Sequence, residues 1–145
     1  MTSGALFYPE TRLFKVALWN YLKNSAELTP IVNLSQDHPK AANDIQNGKC
    51  RIVLSPANNP GVGRYITRNI SSPTIRFTAY AVKEASCDNA LNKLMTVLES
   101  WQPADFLMES QHLQFASAEQ LIESLFNDAI NLYFASITYK FYLSR

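Results

Sequence analysis

The sequence predicts an α+β domain, a mostly antiparallel sheet of meander type with two principal helices on one face, and three observations predict it. Ile75, Phe77, Ala79 and Ala81 are apolar at every second position, with Thr74, Arg76, Thr78 and Tyr80 between them, the period of a strand with one face buried. Directly behind this strand, Leu91, Leu94, Met95, Leu98 and Trp101 recur at helical spacing while Asn92, Lys93, Thr96 and Glu99 face away. The C-terminal run alternates once more, with Tyr133, Ala135, Ile137, Tyr139, Phe141 and Leu143 on one face and Phe134, Ser136, Thr138, Lys140 and Tyr142 on the other. At 145 residues the chain is long enough for one core and one domain, residues 1–145.

The elements follow in order. Pro9 suits a first helical turn, so a helix is expected from Glu10 to Asn24. On a helical wheel, Leu13, Phe14, Ala17, Leu18, Tyr21 and Leu22 fill one half, and Arg12, Lys15, Lys23 and Trp19 lie opposite. An indole among basic residues on an outer face is the kind of side chain that interfaces favour; the other reading places Trp19 against a loop of its own subunit. From Ser25 to Lys49 the chain is polar and irregular, anchored only by Leu28, Ile31, Val32 and Leu34, and reads as a long connection.

Arg51 to Ser55 is a short apolar strand, and the run from Pro56 to Gly63 must leave the sheet. Arg64 to Ile70 can pair as a further strand before Ser71, Ser72 and Pro73 lead into the central one. The stretch from Asn58 to Arg68, with Gly61, Gly63 and Pro60 and few apolar anchors, is expected to order only against a partner. After the central strand, Ser86 can cap a helix that runs to Trp101 ahead of Pro103. Phe106 to Glu109 is ambiguous, and Ala118 to Phe126 fits either a helix or a strand, the strand slightly better. Asn127, Asp128 and Asn131 then supply turn chemistry before the long final strand, which should pair antiparallel beside the central one. The predicted core comprises Leu18, Leu54, Phe77, Leu94, Leu98, Ile137 and Phe141.

Catalytic signals are sparse. His38 and His112 lack a Cys, Asp or Glu at metal-ligand spacing, so neither is expected to hold a metal. Gly61 and Gly63 form a lone G-x-G with no helix start behind it to receive a phosphate, and no serine lies in a nucleophile elbow. Glu119 and Glu123 read as solvated charges. The two cysteines, Cys50 and Cys87, are expected as reduced, ordinary thiols. No catalytic residues, cofactor or metal are therefore expected, and the chain is not expected to be an enzyme. No stretch reaches the roughly 20 apolar residues that span a bilayer, so no membrane is expected among its partners and a cytoplasmic protein is.

Charge is low in amount and uneven in placement. Charged residues make up 17% of the chain against about 25% in an average domain, with a net charge of +1. Between Lys40 and Lys83, seven basic residues face Asp44 alone; between Glu84 and Asp128, eight acidic residues face Lys93 alone. Opposite-sign halves suit head-to-tail self-association, which closes into a ring when the rotation allows; they can equally neutralise each other within one monomer. The interface candidates are Trp19, with Arg64, Arg68 and Arg76 on the positive side and Glu99, Glu109 and Glu123 on the negative. Arg64, Tyr65, Arg68, Arg76 and Tyr80 mix cations with aromatics, but a nearly neutral domain is a poor electrostatic footprint for duplex DNA.

The order of elements resembles one family. Val16-Ala17-Leu18-Trp19-Asn20-Tyr21-Leu22-Lys23, then Leu28-Thr29-Pro30-Ile31-Val32, then Arg51-Ile52-Val53-Leu54, then Ile75 to Val82 followed at once by the Ala90 to Trp101 helix, and a closing Ile137-Thr138-Tyr139-Lys140-Phe141-Tyr142-Leu143, follow the pattern of the tail terminator and tail-completion proteins of long-tailed bacteriophages. The likeness is of pattern and covers most of the chain, with the long polar connection and the proline-glycine loop as departures. It implies a subunit that forms a ring, typically a hexamer, on the head-proximal end of the tail tube. Such a ring stops tube polymerisation and offers a docking surface to the head connector. The implied partners are further copies of the chain, the tail tube protein and the head-tail connector, and the implied location is the virion tail, assembled in the host cytoplasm. The only nucleic acid implied is DNA passing through the ring lumen. The reading from another class is a ferredoxin-like α+β domain, enzymatic or not, that binds an anionic small molecule through Arg64, Arg68 and Arg76.

Overall fold

A computed structural model describes residues 3–45, 49–56, 70–71, 73–106 and 112–144. Its elements are helix α1 (Ser3–Lys23), strands β1 (Val32–Ser35), β2 (Cys50–Pro56), β3 (Ile70–Ser71) and β4 (Thr74–Ala81), helix α2 (Glu84–Glu99), and strands β5 (His112–Asn127) and β6 (Leu132–Ser144). The fold is α+β, with a mostly antiparallel sheet of six strands and two principal helices. No helix among the described residues is long and apolar enough to cross a membrane.

The sheet is built outward from β4 and β6. Phe77 lies opposite Ile137 in that antiparallel pair, and Ala79 opposite Ala135, so the two alternating runs seen in the sequence put their apolar faces on the same side. β3 continues β4 along β6 in one unbroken register, with Ser71 opposite Leu143 and Thr74 opposite Lys140. The interruption falls at Pro73, which has no N–H to donate; its carbonyl accepts from the Phe141 N–H at 3.0 Å instead. Of the strand expected from Arg64 to Ile70, only Ile70 lies within the described residues.

β2 pairs antiparallel with the other side of β4, and β1 adds in parallel to β2. The connectivity departs from a simple meander at the C-terminal end, where β6 rather than β5 lies beside β4 and β5 pairs on the outside of β6. Since β4 and β5 both run antiparallel to β6, they are parallel to each other. A parallel pair needs a crossover, and α2 supplies it.

One face carries both helices. Phe14, Leu18 and Leu22 of α1 are fully buried with Cys87, Ala90, Leu91, Leu94, Val97 and Leu98 of α2 against Ile52, Phe77, Ile137 and Phe141. The Tyr21 hydroxyl donates to the Val97 carbonyl at 2.6 Å and ties the two helices together. All seven predicted core residues pack here, Leu54 only partly buried, whereas Leu13, expected on the buried half of α1, is 46% exposed.

Helix ends differ from expectation for local reasons. α1 begins at Ser3, which places Pro9 at the seventh helical position instead of the first turn. α2 begins at Glu84, whose carboxylate suits the positive end of the helix dipole; Ser86 falls inside the first turn, with its N–H bonded to the Lys83 carbonyl at 3.1 Å. The last turn tightens where the Ser100 N–H meets the Val97 carbonyl at 3.2 Å, and the helix stops at Glu99, before Trp101. The ambiguous segment from Ala118 to Phe126 is strand, part of the 16-residue β5. Its turn to β6 uses the expected chemistry, with the Asn127 side chain accepting from the Ala129 N–H at 3.0 Å and Asn131 in the left-handed region at φ 56°.

Candidate interaction surface

The sheet's second face is covered in part by the long connection between β1 and β2. Ile45 and Val53 are buried there, apart from the main core. Arg51 donates to the carbonyls of Asp37 at 3.2 Å and Asp44 at 2.8 Å, while the Lys40 N–H meets the Asp44 carboxylate at 2.7 Å. His38, though exposed, shares a 2.7 Å hydrogen bond between its Nδ1 and the Tyr80 hydroxyl, with the two rings edge to face. Arg51 and His38 therefore pin the connection to the sheet, a structural task.

The predicted interface residues separate. Trp19 is partly buried against its own chain, at the junction of two hollows of about 410 Å³ and 260 Å³ where α1 overlies β1 and β2. Arg76 is half-buried on β4 and alternates with Phe77, so it belongs to the face away from the helices. Its Nε is buried with no hydrogen-bond partner among the described residues. Glu99 is exposed at the end of α2, on the helix-bearing side, so Arg76 and Glu99 are not brought together. Glu123 is exposed on β5. Arg64, Arg68 and Glu109 lie outside the described residues, as does the whole loop from Asn58 to Arg68 and its expected ordering.

What sequence reasoning missed is the flank formed by α2 and β5. A groove of about 400 Å³ runs between them, with Leu91, Met95 and Leu121 on its walls and Glu84, Asp88 and Glu123 around it. The Ser124 hydroxyl donates to the Asp88 carboxylate at 2.6 Å and fixes one side. Leu121 is 57% exposed and Phe126, beyond the groove on the same face opposite Tyr133, 46%; Leu125, opposite Phe134 on the other face of this outermost strand, is 54% exposed. The one advance signal was the apolar content of a segment whose period fitted helix and strand almost equally.

Among the described residues, no three His, Cys, Asp or Glu side chains converge as metal ligands. The two thiols sit inside the core, Cys50 2% exposed and Cys87 fully buried. The neighbouring Cys87 thiol, with burial behind it, pushes the Cys50 thiol up, and the Cys87 S–H has the Tyr133 carbonyl at 3.3 Å. A thiol-reactive aromatic disulfide should label neither cysteine in the folded protein and both after denaturation. Labelling of either before unfolding would show that the core opens locally. Comparison of the chain with protein-family models and with curated proteins gives no match.

Proposed function

We propose that this protein is a structural assembly subunit that acts by binding copies of itself and neighbouring proteins, of the tail-terminator or tail-completion kind that its sequence pattern resembles. In that role a ring of copies, typically a hexamer, caps the head-proximal end of a bacteriophage tail tube, halts its polymerisation and presents a surface to the head connector. No bond is made or broken; the work is interface burial and shape complementarity. The observation that carries the reading is the exposure of Leu121 and Phe126 on the helix-bearing face of β5, with Leu125 exposed on its other face, since large apolar side chains left uncovered on the surface of a small domain mark a place that a partner covers.

The test is assembly. Analytical ultracentrifugation of the purified chain, alone and with a polymerising tail tube protein, should give a closed oligomer of fixed mass and tubes that cease to lengthen once it is added. A strict monomer at every concentration, with no effect on tube length, overturns the proposal.

A further inference from the structure

The self-association just proposed leaves open which surfaces meet. We infer that copies of this chain pack head to tail, the α2–β5 flank of one copy seating the α1–β1 flank of the next. The inference rests on the assembly reading and adds the two surfaces.

Topology supplies the first argument. The sheet order puts β1 at one edge and β5 at the other, with β2, β4 and β6 between them. A contact between these flanks uses two different surfaces on each copy, so it is heterologous and propagates until it closes.

Charge supplies the second. Around the α2–β5 groove stand Glu84, Asp88 and Glu123. On α1, Lys15, Trp19 and Lys23 fall four residues apart and so form one stripe, both lysines exposed and the indole partly buried. Acidic side chains flank one surface and basic side chains flank the other.

Apolar surface supplies the third. Leu121 and Phe126 on β5, opposite Ile137 and Tyr133 and so on the α2 side of the sheet, are 57% and 46% exposed, and Val16 beside the α1 stripe is 54% exposed. Each flank thus offers uncovered apolar side chains within a charged border, the anatomy of an interface with an apolar centre and a polar rim. Strand addition at the β5 edge is the weaker alternative. Three register shifts break β5 against β6, and Glu119 and Glu123 project from it as exposed charges, devices that discourage edge-to-edge pairing. Side chains rather than backbone ladders make the contact.

The experiment is a paired charge reversal read by sedimentation. One variant carries Glu84→Lys and Glu123→Lys, the other Lys15→Glu and Lys23→Glu; all four positions are exposed, and unchanged circular dichroism confirms that each variant folds. Each variant alone should associate about tenfold or more weakly than wild type, because like charges then face each other across the contact. An equimolar mixture should recover the wild-type oligomer, since every contact in an alternating ring is again between opposite charges. If the Lys15→Glu, Lys23→Glu variant alone assembles like wild type, or if the mixture does no better than its components, the head-to-tail assignment is wrong while self-assembly of the unmodified chain stands. A wild-type chain that stays monomeric removes the assembly reading itself, and this inference with it.

Discussion

Replacing Phe14 with alanine should destabilise the domain by about 3 to 5 kcal/mol, the usual cost of truncating a fully buried phenylalanine. Phe14 has no exposed surface, and its ring lies 4.9 Å from Phe141 on β6 and 5.9 Å from Phe106 beyond α2. It therefore joins three parts of the chain far apart in sequence, and the cavity left behind could close only if all three moved. Against a total stability of about 5 to 15 kcal/mol for a typical domain, that loss is a large share. Leu13→Ala is the control, since Leu13 is 46% exposed one position earlier and roughly 100° away around the helix. Urea unfolding of both variants decides it: a smaller loss for Phe14→Ala than for Leu13→Ala would mean that α1 is rotated by one residue.

The elements that were legible are those that set an apolar face against the helices. β4 and β6 each bury one face under the helices, so apolar residues had to alternate, and both strands were expected where they lie. β5 was ambiguous because most of its side chains are exposed. Its identity comes from backbone pairing with β6, and the shifts near Leu113, Ala118 and Ile122 reset the alternation each time. β1 was hidden for a related reason. Its four residues become a strand through parallel pairing with β2, in which Val32 lies opposite Cys50, and no local pattern announces a partner eighteen residues on. The connection that covers the second face is held by Arg51 bonds to two carbonyls, which any sequence could accept and no periodicity encodes.

The candidate surface was legible in charge and not in place. Glu84, Asp88 and Glu123 stand together on one flank because α2 and β5 follow each other in the chain and pack against each other, so segment order became geometry. The basic half does not behave the same way: Arg51 is committed to pinning the connection, and Arg76 lies on the face away from both helices. The exposed cations that share a stripe with Trp19 come from α1, ahead of the basic stretch, where their amphipathic pattern drew notice to the indole alone.

Removing the hydroxyl of Tyr139 should leave the domain as stable as before or raise its stability by about 1 kcal/mol, against the usual sense of a core substitution. Tyr139 is 2% exposed on the helix-bearing face, edge to face with Phe77 at 6.1 Å and stacked on Phe141 at 6.0 Å. Its hydroxyl is buried with no hydrogen-bond partner among the described residues, and an unmatched buried polar group costs about 1 to 3 kcal/mol. Tyr139→Phe keeps the ring contacts and removes that cost. The same burial, with the Glu99 carboxylate adding to it, pushes the phenol from 10.0 up to about 12. The folded chain thus holds the proton more tightly than the unfolded one, so the contribution is fully present below pH 10 and is lost as the pH rises toward 12. Tyr21 and Tyr80 are also pushed up by burial and act in the same direction, so the informative quantity is the difference between wild type and variant. Urea midpoints measured on either side of pH 10 should fall for both proteins and fall less for Tyr139→Phe. A variant that is less stable than wild type at neutral pH by more than about 1 kcal/mol would mean that the hydroxyl has a partner after all, since only a satisfied hydrogen bond is lost at that cost.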